Sequence, residues 1–328
     1  MVNMPSDILR LKPGESYMAK RRISMPLVAV ITALSTICAA QAPARAAGTA
    51  GTAPTTAGAS RTAGIDSALL AKANAGNAEA EFKVGSQYEL GARVEKDPAK
   101  AAEWYRKAAE KGYPQAEHSL GVLYEFGDGV PTDYATAAQW YSKAAEKGFA
   151  PAEFSLGLCY VHGKGVPQNF DKALGWYQKA AAQRNSDAML NLAYLYHTGQ
   201  GVPIDEARSF DYVRQAAEAG SADAQFQLGM NYFNGEQGLD QDNDLARKWL
   251  RRSAEQGHVA AQFNYAMLLK AEPQEVYFWL GLATPHLTGS TKDKSQELRT
   301  KAGARLNPSQ KTDIDRRVAA WRPAEEQP

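Results

Sequence analysis

The stretch Tyr105–Tyr141 is written again before and after itself at a step of 36 residues. Trp104 returns as Trp140 and Trp176, Gly112 as Gly148, and Leu120-Gly121 as Leu156-Gly157. A fixed period of this length marks a repeat array, whose units are supersecondary elements that bury their apolar faces only by stacking on neighbours. The 328 residues therefore set the number of stacked units rather than the number of separate cores.

The columns of the array give each unit two helices. An alanine column (Ala80, Ala116, Ala152, Ala188, Ala224, Ala261) is followed four residues later by Val84, Leu120, Leu156, Leu192, Leu228 and Tyr265. The next residue is Gly85, Gly121, Gly157, Ala193, Gly229 or Ala266, and Tyr88, Tyr124, Tyr160, Tyr196 and Tyr232 complete the first helix. Small residues beside one large residue at helical spacing let a second helix approach closely. Gly-x-Gly-Val turns then lead to a polar column, Asp97, Asp133, Asn169, Asp205 and Asp242. These are side chains that cap a free helix-start amide, worth about 1 kcal/mol each. Trp104, Trp140, Trp176, Tyr212 and Trp249 are expected on the inner face of the second helix. Gly112, Gly148, Gly220 and Gly257 end it in a left-handed turn, and Asn185 is expected to supply that turn where Arg184 breaks the column.

These signals divide the chain. Residues 65–76 read as a capping half-repeat, because Gly76 is in phase with Gly112. Six units follow over 77–284, with one residue inserted near Gly235–Asp242 and a shortened turn in the sixth. Residues 285–328 are expected to close the array with helices near Lys294–Arg305 and Pro308–Trp321, Asn307 capping the second. Before the array, residues 48–64 carry too little apolar bulk to fold and read as a tether of Gly, Thr and Ala.

The first 47 residues differ in kind. Lys20-Arg21-Arg22, the apolar run Leu27–Ile37 and Ala44-Arg45-Ala46 have the order of an export signal with a cleavage site. Met18 is the start that would give this signal an ordinary length. The expectation is a cleaved signal and a bacterial periplasmic protein; an uncleaved signal would leave a membrane anchor. Without this segment the chain holds 31 basic and 34 acidic residues. A mildly acidic body lacking a basic run argues against nucleic acid as partner. Cys159 is then the only cysteine, which rules out an internal disulfide, and its place on a repeat helix predicts burial.

The patterns Ala-x-x-x-[Leu/Val]-[Gly/Ala]-x-x-Tyr, Gly-x-Gly-Val and [Ala/Ser]-x-x-[Trp/Tyr]-x-x-x-[Ala/Ser]-Ala-x-x-Gly resemble the Sel-1-like repeat family, longer-looped relatives of tetratricopeptide repeats. The resemblance covers residues 65 to about 284. It implies an all-α, right-handed α-solenoid of helix pairs that acts as a protein-binding scaffold or regulator.

Chemistry-bearing motifs are scarce. None of His118, His162, His197, His258 and His286 forms His-x-x-x-His, and no cysteine pair offers a metal site. The sequence also lacks a Gly-x-Ser-x-Gly elbow and a phosphate loop ending in Gly-Lys-Ser/Thr. No cofactor, metal or catalytic residue is expected, and the chain reads as a non-enzyme. Two other readings stay open: a secreted hydrolase of the cell wall or of β-lactams, and an assembly factor for envelope polysaccharide export. Cysteine-rich relatives linked to penicillin binding carry a disulfide in each repeat, which this chain does not.

What remains is a surface. Positions two before, two after and five after the Leu column fall opposite the packing face of the first helix. There the side chains become apolar towards the middle of the array: Leu158 and Val161, then Tyr194 and His197, then Met230 and Phe233, with Met267 beyond. They are candidates for a concave groove that takes a protein segment. The competing reading packs them between adjacent helices.

Overall fold

The computed structural model describes residues 64–269 and 271–324. The expected signal (1–47) and all of the tether but Gly64 lie outside these. The described residues form α-helices joined by short turns, with one 3₁₀ turn and no strand among them. Helix α1 (Ser67–Asn74) is followed by six pairs: α2 (Ala78–Leu90) with α3 (Pro98–Glu110), α4 (Pro114–Phe126) with α5 (Tyr134–Glu146), and α6 (Ala150–His162) with α7 (Phe170–Ala182). The others are α8 (Ser186–Thr198) with α9 (Glu206–Glu218), α10 (Ala222–Asn234) with α11 (Asn243–Glu255), and α12 (Val259–Leu268) with α13 (Pro273–Ala283). Helices α14 (Gly289–Gly303) and α15 (Pro308–Ala320) pack on α13 and close the end. Each repeat helix packs on the one before and the one after, which makes the array an α-solenoid.

Local chemistry sets the helix ends. Asp97, Asp133, Asn169, Asp205 and Asp242 each accept a backbone N–H at the start of a second helix. The backbone amides of the same five residues donate to the carbonyls of Tyr88, Tyr124, Tyr160, Tyr196 and Tyr232 at 2.9 Å. One residue thus starts a helix and pins the turn before it. Asn307 caps α15 through a reciprocal bond with Gln310. Helix α14 begins at Gly289, five residues before the expected start.

Arg184 corrects the sequence reading at the end of the third unit. It takes the left-handed turn itself, at φ +65°, while Asn185 is extended and caps α8 by accepting from Ala188 N at 2.8 Å. Two needs compete at this corner, a left-handed residue and a capping side chain. A left-handed Arg costs on the order of 1–2 kcal/mol. Asn185 is the only one of the two with an oxygen to cap, so Arg184 bears the strain. Its Nη2 also donates to the carbonyl of Glu218 at 3.2 Å.

The core corrects the expected aromatic column. Tyr105, Tyr141 and Tyr177 are 1%, 1% and 0% exposed, whereas Trp104, Trp140 and Trp176 are half-buried. The inner face of α3 is Ala101, Ala102, Tyr105, Ala108 and Ala109. Trp104 is one residue and about 100° off that face. It lies against Ala73 of the capping helix α1 and Ala80 and Val84 of its own partner α2, and Lys107 covers its ring at 3.9 Å. Lys143 and Lys179 repeat this cover over Trp140 and Trp176.

The tyrosines explain the glycine column. A Cβ added at Gly85, Gly121 or Gly157 would come within 2.7, 2.7 or 2.4 Å of the ring of Tyr105, Tyr141 or Tyr177. At the same register the fourth unit has Ala193 with Val213, both buried. A smaller partner leaves room for the methyl group.

Candidate functional site

The first helices α2, α4, α6, α8, α10 and α12 form one wall of the solenoid. Residues two before the Leu column join neighbouring first helices. The Phe82 ring lies 5.4 Å from that of Tyr113, His118 lies 5.6 Å from Phe149, and Phe226 lies 4.7 Å from His258. Leu190, at the same position, is 3% exposed. This row belongs to the packing between units, so only the other two rows remain as surface.

Leu158 and Val161 on α6, Tyr194 and His197 on α8, and Met230 on α10 are half-buried, while Phe233 is 36% exposed. Their shared register places all six on the same wall. They differ in how far the core claims them. Met230 packs against the cluster around Tyr265 and Leu280. His197 Nδ1 lies 3.0 Å from Glu206 Oε2. Met267, half-buried at the same register on α12, lines a cavity at the C-terminal end.

At the other end of the wall the position five after the Leu column carries a carboxylate, Glu89 and then Glu125, beside Ser86 and Val122. The buried Tyr105 hydroxyl donates to Glu89 Oε2 at 2.5 Å, and Ser86 Oγ lies 3.1 Å from it. Tyr141 donates to Glu125 Oε2 at 2.8 Å, and Lys164 Nζ lies 3.7 Å from Glu125 Oε1. Burial, and then the Glu89 charge, push the Tyr105 hydroxyl well above the usual phenol range. It stays a hydrogen-bond donor. The wall thus changes from acidic in its first two units to apolar in the next three.

Two of the histidines serve the framework. His118 Nε2 lies 3.2 Å from Ser155 Oγ, and burial lowers its pKa to about 4, which leaves it neutral near pH 7. His258 Nδ1 accepts from Ala261 N at 3.0 Å, capping α12, while its Nε2 lies 3.3 Å from Asp223. Among the described residues no group of three or more His, Cys, Asp or Glu is placed to hold a metal ion, and no helix is long and apolar enough to cross a membrane. Cys159 is buried, as its helix position predicts.

The sequence reading missed the C-terminal cavity. It holds about 280 Å³ between α12, α13 and α14. Helix α12 has 10 residues where the other first helices have 13, and the cavity opens beside its shortened end. The lost Gly-rich turn was the available signal. The facing residues come from α14, outside any repeat column, so periodicity could not find them.

A solenoid of capped helix pairs with one continuous first-helix wall defines a repeat protein of the interaction-surface class. A family model for the Sel1 repeat matches residues 78–113, 114–149, 150–185, 186–221 and 222–258, and the chain belongs to that family. It is similar to the crystal structure of c5321, a protective antigen of uropathogenic Escherichia coli strains displaying an SLR fold, at 32% identity and TM-score 0.59. That match covers 77% of this chain but only 56% of the E. coli protein. A Sel1 repeat protein from Oxalobacter formigenes is 30% identical, with TM-score 0.66, over 70% of this chain and 68% of that one. No curated protein matches the chain. Sel1 repeat proteins generally act as protein-interaction scaffolds, and their fold is typically non-catalytic.

Proposed function

We propose that this chain is an exported, non-catalytic scaffold that binds a segment of a partner protein along its first-helix wall, the concave side expected of such a superhelix. The observation that carries the reading is the row Leu158, Val161, Tyr194, Met230 and Phe233. These apolar side chains stay partly exposed in consecutive units, although the core beside them is already filled. Binding energy at protein interfaces concentrates in a few central aromatic anchors, which makes Tyr194 and Phe233 the main contacts. His197 borders them as a polar contact. Export rests on the order of charged, apolar and small residues in the first 47.

The test is to replace Tyr194 and Phe233 together by Ala, then measure melting and partner capture from envelope extracts on the same samples. The expected result is lost capture with stability within about 1 kcal/mol of the parent. A variant that melts far below the parent would return the row to the core and overturn the reading. Location is read separately. A reporter fused after Ala47 should reach the periplasm, and one on a chain lacking residues 18–47 should stay in the cytoplasm.

A further inference from the structure

The cavity at the end of the array differs in chemistry from the wall. Its sides are aliphatic: Met267 from α12, Val276 and Leu280 from α13, and Leu298 from α14. Two cations, Lys301 from α14 and Arg305 from the turn that follows it, complete the lining. Lys301 is occupied by an ion pair with Glu297. Arg305 is exposed, and no described carboxylate pairs with it. The site is therefore an apolar slot with one available positive charge at its edge.

We propose that this cavity binds a medium-chain aliphatic carboxylate, with the chain in the slot and the acid group on Arg305. Among the described residues the lining offers no hydrogen-bonding side chain besides the two cations, so a ligand's internal polar groups would lose their water without replacement. A peptide backbone entering the slot bears that loss at every N–H and C=O. An acyl chain has no such groups. Size points the same way. An apolar cavity of about 150 Å³ holds one benzene, so about 280 Å³ accommodates about ten carbon atoms. The charge fits as well, because a guanidinium fork matches a carboxylate in two parallel hydrogen bonds.

The proposal is tested by calorimetric titration of the full chain with hexanoate, octanoate and decanoate, and with 1-octanol as the uncharged control. One-site saturation is expected, with affinity rising about fourfold per added CH₂, the equivalent of its transfer free energy. Arg305→Glu should weaken octanoate about tenfold or more while leaving octanol unchanged. Leu298→Trp should fill the slot and abolish binding of all four probes. Non-saturating uptake, or equal uptake by the Leu298→Trp protein, would show general hydrophobic association and overturn the site. Equal affinity for octanol and octanoate, unchanged in Arg305→Glu, would overturn the acidic ligand class. If Leu298→Trp does not fold, the exposed Arg305→Glu variant decides the question. The Tyr194→Ala, Phe233→Ala protein should still bind octanoate, so failure of one site is separable from failure of the other.

Discussion

Units one to three and units four and five share a backbone plan but fill it differently. In the first three, a buried tyrosine lies on a glycine: Tyr105 on Gly85, Tyr141 on Gly121, Tyr177 on Gly157. The fourth has Val213 with Ala193, and the fifth has Leu250 with Gly229. A polar ladder changes in the same way. Lys111 and Lys147 pair with the buried Glu81 and Glu117, and each also donates to a glycine carbonyl of the preceding turn at 2.9 Å. In the third unit Gln183 donates to Glu153 at 2.8 Å, and in the fifth Gln256 donates to Gln225 at 2.9 Å. The fourth has Met189 and Ala219 at these positions, with Met189 buried. The Val213–Ala193 pair trades volume across its contact, as a close-packed interior requires, while the ladder gives each of the buried Glu81, Glu117 and Glu153 a hydrogen-bonding partner and turns apolar at Met189.

The comparison can be broken at its largest contact. Tyr141→Ala should cost about 3–5 kcal/mol in urea melts, because a fully buried aromatic leaves a cavity. Trp140→Ala, at a half-buried seam, should cost clearly less, about 1–2 kcal/mol. Equal losses would mean that both rings carry the layer.

The ladder gives a smaller effect. Lys147→Met leaves Glu117, whose side chain is 2% exposed, without its cation; the Lys147 side chain is 39% exposed, so solvent screening limits the loss to about 1–2 kcal/mol. The double variant Glu117→Gln, Lys147→Gln copies the fifth unit and should recover most of it. Smaller again is the pH effect at Glu153. Burial raises its pKa above the ordinary 4.5, against the opposing pulls of Lys179 and Gln183. The folded state then holds this proton more tightly than the unfolded chain, and stability falls as pH rises from 4.5 through the raised value. Glu153→Gln should be more stable than the parent near neutral pH, and the gap should close on acidification in pH-stepped melts.

How much of this the sequence revealed follows from what each residue demands of the backbone. Gly112 and Gly148 require positive φ, and Asp133 has an oxygen at capping distance, so turns and helix starts were legible from residue type alone. The choice between adjacent aromatics was not. Trp140 and Tyr141 both suit a core, and one helical step decides which faces inward. Arg184 shows the same limit, since two competing needs at one corner are resolved only in three dimensions. On the wall, Leu190 and Tyr194 look alike as apolar residues of one helix. Only the next unit's position buries the first and leaves the second partly open. The C-terminal cavity lay further from view, because it forms where the repeat fails.

That Val213 and Ala193 of the fourth unit replace the tyrosine–glycine pair as one compensating change is tested most directly by a double-mutant cycle on Val213→Tyr and Ala193→Gly. Val213→Tyr alone drives a ring against the Ala193 methyl and should cost about 1–3 kcal/mol by overpacking. Ala193→Gly alone should cost about 1 kcal/mol through helix propensity. Together they rebuild the pair of the first three units, and the measured coupling should be favourable by about 1–2 kcal/mol, leaving the double variant more stable than Val213→Tyr. Additive losses, with no coupling between the two sites, would contradict the account.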